Sequence, residues 1–134
     1  MIDARRQQLQ QLRETLLVLH KALVDSERVS YEKAIGPIPS PHHFLRLLTS
    51  DPWFACLHPL SQLIVAMDEV LEEKEPLTVA SADALIRQTC LLLVASEEGD
   101  GFPRSYFEAL QRDPDVVRAH AKAAEHFRPR SRRD

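Results

Sequence analysis

Between Asp3 and Lys33 the chain carries neither proline nor glycine, and Leu9, Leu12, Leu16, Leu19, Leu23, Ser26 and Ser30 follow one another at alternating spacings of three and four. An α-helix turns about 100° per residue, so this spacing lines those side chains up as one seam along a long helix. Leu17, Val24 and Tyr31 add a second stripe, which widens the buried face beyond a two-stranded seam and favours a bundle over a simple coiled coil.

The rest of the chain reads as further helices cut by prolines. In AIGPIPSP, three prolines and a glycine in eight residues forbid helix and predict an extended connection. Ser40 before Pro41 reads as an N-cap and first helical position, opening a short helix with Phe44, Leu47 and Leu48. Asp51 before Pro52 repeats the signal. The helix it opens carries Trp53, Leu57, Leu60, Ile64, Met67 and Leu71 on one face, with Pro59 inside it, so a kink is expected near Ala55 to His58. Ser61 is placed to compensate the carbonyl that such a kink frees.

Thr78 is read as the cap of a third main helix to about Ser96, with Leu85, Ile86, Leu92 and Leu93 inward and Asp83 and Arg87 outward. EEGDG breaks the chain. A short helix follows from Pro103 to about Arg112, and Asp113 with Pro114 opens a last helix to about Phe127. The expected fold is an all-α bundle of four main and two short helices over residues 1–127, with 128–134 as a frayed basic tail.

Hydrophobic residues at 44% and charged residues at 28% of 134 are the balance of a globular chain. The longest apolar run, Cys90 to Ala95, is far short of the roughly 20 residues of a membrane helix. The polar N-terminus lacks the pattern of a signal peptide, which makes the cytoplasm the default location. Four arginines against Asp134 leave the last seven residues at +3 and the body at −6, a distribution that disfavours a broad nucleic-acid surface. Cys56 and Cys90 are expected as buried thiols.

LRLLTSDPWFACLHPLSQLIVAMDEV, with LHKALVDSERVSYEKAIGP and YFEALQRDPDVVRAHA, resembles a group of small bacterial helical proteins. The resemblance covers about half of the chain. It implies a bacterial cytoplasmic protein and brings no established activity, cofactor or catalytic residue with it.

Di-iron bundles place a Glu three residues before a His. The residues three before the six histidines are Leu17, Pro39, Ser40, Ala55, Val117 and Ala123, none of them a ligand. No two histidines stand four apart, no G-x-S-x-G elbow occurs, and Gly36, Gly99 and Gly101 form no phosphate loop.

What remains is His20, seven residues before Glu27 on the same helix side, and His120 on the last helix, where the two imidazoles could meet across the bundle and hold a metal or pass a proton. His20, Glu27 and His120 are therefore the candidate metal ligands, and with Tyr31 the candidate lining of a pocket beside the Pro59 kink. Opposed to this is a structural reading, in which each histidine is a half-buried group bonded to a neighbour.

His42 and His43 read as a solvated turn, and Asp68, Glu69, Glu72, Glu73 and Glu75 as a solvated helix end. Trp53 and Phe54 are the candidate interface aromatics, with Phe54 lying off its helix's apolar stripe. Two functions follow as expectations. The first is a noncatalytic module that binds a protein or itself. The second is a small-molecule or metal-binding bundle.

Overall fold

The long leucine-seamed helix becomes the axle of the molecule. The computed structural model describes residues 4–74 and 77–127, and among them it forms seven α-helices and no strand. They are α1 (Ala4–Ala34), α2 (Pro41–Ser50), α3 (Pro52–Ala55), α4 (His58–Leu71), α5 (Val79–Leu92), α6 (Gly101–Arg112) and α7 (Pro114–Ala124). Helix α1 contacts α3, α4, α5, α6 and α7. Its Leu9, Leu12, Leu16 and Leu19 are wholly buried, and each such side chain stabilises the fold by about 1.5–3 kcal/mol. Leu60, Met67, Phe102, Tyr106, Val116 and Ala123 close the core around them.

The cap residues act as their spacing predicts. Ser40 accepts from the His43 N–H at 3.1 Å, Asp51 from Trp53 at 2.8 Å, Thr78 from Ser81 at 3.0 Å and Asp113 from Asp115 at 2.9 Å. Each satisfies a backbone donor left over in a first helical turn. Between α1 and α2 the chain runs extended, with Gly36 at a φ of 148° and Ile38 buried, its N–H held by Glu32 Oε2 at 2.9 Å.

The kinked helix expected at Pro59 is instead two helices. Helix α3 stops at Ala55, Cys56 and Leu57 turn, and α4 begins at His58 with Pro59 in its first turn. The physical reason is that a proline lacks an N–H, which costs nothing in the first turn of a helix but removes a hydrogen bond in its interior. Ser61 also differs from expectation, because its hydroxyl reaches the Leu57 carbonyl and His20.

Helix α5 ends at Leu92 rather than near Ser96, and it buries Ala82, Leu85 and Thr89. Ile86 and Leu92 are only partly covered. Thr89 fits the core because its hydroxyl donates to the Leu85 carbonyl at 2.8 Å. Cys90, one position further round, is exposed and not buried, and Cys56 is half-buried. No helix among the described residues is long and apolar enough to cross a membrane. The expected basic tail, 128–134, and Glu75 lie outside the described residues.

Candidate functional site

The most elaborate polar arrangement in the core starts from Ser26 and Glu27, adjacent residues on the buried side of α1. Glu27 keeps only 8% of its side chain exposed. A carboxylate so placed needs partners, and it has two. Trp53 Nε1 of α3 donates to Oε1 at 3.1 Å, and the Arg112 guanidinium at the end of α6 donates to Oε2 at 2.7 Å. Arg112 Nε also donates to Ser26 Oγ at 2.9 Å. One knot therefore joins α1, α3 and α6.

Aromatic rings pack beside the knot. Tyr31 meets Trp53 edge-on at 5.5 Å and Phe54 at 5.6 Å, Phe44 meets Phe54 at 5.7 Å, and the Arg28 guanidinium stands 4.9 Å over the Phe44 ring. Cys56 Sγ donates to the Trp53 carbonyl at 3.5 Å, and burial pushes its thiol pKa up, which makes it a poor nucleophile.

The other two sequence candidates lie elsewhere. His20 Nε2 of α1 is 2.7 Å from Ser61 Oγ of α4, and burial lowers the imidazole pKa. His120 Nδ1 of α7 is 2.5 Å from the hydroxyl of the buried Tyr106 on α6. Burial lowers the His120 pKa and raises that of the phenol. Two further histidines also link elements, His58 donating to the Leu48 carbonyl at 3.1 Å and His126 standing 3.4 Å from Thr15 Oγ1.

The structure thus brings two of the four expected pocket residues, Glu27 and Tyr31, together around Trp53. His20 and His120 are bonded to different helices. Residues seven apart share a helix side but stand about 10.5 Å apart along the axis, so His20 and Glu27 meet different neighbours. His20 faces α4, while Ala119 and Lys122 of α7 line a groove with Thr15 of α1, about 140° round the helix. Among the described residues no three His, Cys, Asp or Glu side chains gather as a metal site would require, so His20, Glu27 and His120 do not form one.

Of the two candidate interface aromatics, Phe54 is wholly buried and belongs to the core, because α3 turns it onto Tyr31 and Phe44. Trp53 is half-buried, and its indole N–H is engaged by Glu27. Ser26 stood in the leucine seam, but nothing in its spacing announced Arg112, which comes from the last turn of α6.

Chemically, His20 and Ser61 have the separation of a base and a nucleophile. Ser61, however, is inside the first turns of α4 and leans back on the Leu57 carbonyl at 3.5 Å, unlike a serine presented on a strained elbow. A groove of about 290 Å³ does lie beside Pro59. Its lining is Gln62, Leu63, Ala66, Gln88 and Leu92, not the four expected residues. A larger groove of about 420 Å³ runs between α1 and α7 past Glu14, Thr15, Val18, Lys122, Glu125 and His126.

No protein-family model, curated protein or solved structure matches the chain.

Proposed function

We propose that this chain is a noncatalytic, self-associating helical module, bacterial and cytoplasmic as the resemblance implies. The observation that carries the reading is a division of labour. Polar side chains drawn into the core are bonded to one another across helices, whereas among the described residues ten large aliphatic side chains stay 40% or more exposed, Leu91 at 70% and Ile35 at 63% among them. Engaged polar groups hold a scaffold together, and apolar side chains left outside favour association where they gather on one face.

The test is the mass in solution by light scattering across a concentration series. A mass rising from 15.3 kDa toward twice that value is expected. A mass of one chain at every concentration overturns self-association.

The groove beside Pro59 supports a second reading, a small-molecule site with Gln62 and Gln88 as its polar contacts. A thermal-shift screen against a metabolite library tests it, with Gln62→Ala and Gln88→Ala expected to abolish any stabilisation found.

A further inference from the structure

Helix α5 has two unlike sides. Its inner side buries Ala82, Leu85 and Thr89 against the core. On its outer side Ala80, Ala84, Arg87 and Leu91 follow at spacings of four, three and four, with Asp83 and Cys90 alongside, all of them exposed. At about 100° per residue these six share one face of the helix. It carries one charge of each sign, Asp83 and Arg87, two alanines, a cysteine and one strongly projecting apolar side chain, Leu91, which is 70% exposed.

The order of residues along this face is self-complementary. Small side chains, Ala80 and Ala84, occupy the first half, and the large Leu91 occupies the second. The two charges at the centre are of opposite sign and four residues apart.

We propose that the outer face of α5 binds the same face of a second copy, antiparallel about a two-fold axis crossing the helix at Leu85. That operation brings Asp83 level with Arg87 of the second copy, twice over, and lays Leu91 of each copy over the Ala80 end of the other. A two-fold interface requires such a patch, because each residue meets the mirror-order residue of an identical surface.

Among the described residues Asp83 pairs with Arg5 of α1 at 3.8 Å, both side chains being about half exposed, and Arg87 makes no ion pair. The helix has 14 residues and is about 21 Å long, so the contact is confined to one short helix face.

This inference rests on the self-association reading and names its surface. The experiment is a charge exchange read by light scattering and sedimentation, with circular dichroism confirming that every variant is folded. Asp83→Arg alone sets Arg against Arg, and Arg87→Asp alone sets Asp against Asp. Each is expected to raise the dimer dissociation constant at least about tenfold, while the double variant returns it to near the wild-type value. A dimer indifferent to both single exchanges, or a double variant as weak as the singles, overturns the α5 surface and leaves self-association standing. A wild-type chain that never dimerises overturns both.

Discussion

Glu27 and Arg112 are 85 residues apart in the chain, yet their side chains meet at 2.7 Å and tie the middle of the molecule to the last turn of α6. The pair is asymmetric, because Glu27 is 8% exposed and Arg112 33%. Removing the partner that sits near solvent and removing the one that sits in the core are therefore different experiments.

Arg112→Ala leaves a buried carboxylate with only the Trp53 indole and is expected to cost about 2–4 kcal/mol. Glu27→Gln keeps an acceptor for Trp53 and leaves Arg112 a path to water, so it costs less, about 1–2 kcal/mol. Urea denaturation of both variants, with the double variant closing the cycle, measures the order. An equal or reversed ranking contradicts the asymmetry.

Neighbouring aromatics separate in the same way. Phe54→Ala empties a wholly buried site and is expected to cost about 3–5 kcal/mol. Trp53→Phe keeps a ring against Tyr31 and loses one hydrogen bond to Glu27, for about 1–2 kcal/mol. Denaturant midpoints at unchanged slope report both.

Pro59 stands at the start of α4, so replacing it discriminates a helix start from a kink. Pro59→Ala is expected to lose about 0.5–1 kcal/mol, because the freer unfolded chain gains entropy and no blocked hydrogen bond is recovered. Were the proline straining the interior of one continuous helix, the same change would raise both stability and the helical circular-dichroism signal.

Acid should weaken the fold through two histidines. Burial holds His20 and His120 below their usual pKa of 6.5. The unfolded chain therefore takes up protons first as the pH falls below that value. The stability they contribute is present above pH 6.5, declines as the pH drops through the lowered pKa values, and levels off beneath them. Denaturation midpoints from about pH 8 to about pH 5 follow this curve. His20→Gln with His120→Asn, which place an amide where Nε2 and Nδ1 stood, should flatten it.

The all-α class, the caps at Ser40, Asp51, Thr78 and Asp113, and the leucine seam of α1 were legible in the chain, because each depends on residues within a few positions of one another, whereas the count was not, since the one helix expected through Pro59 is two. Periodicity fixes direction around a single helix and nothing beyond it. It set His20 and Glu27 on one side of α1 but held no information on what stands opposite. Tertiary packing alone decided that His20 meets Ser61, that His120 meets Tyr106, and that Glu27 is neutralised by an arginine 85 residues away. Packing also decided that Phe54 is core while Cys90 is surface. Local hydrogen bonding and apolar spacing are written in short stretches of sequence, whereas a partner across the bundle is selected by the orientation in which helices bury their faces together.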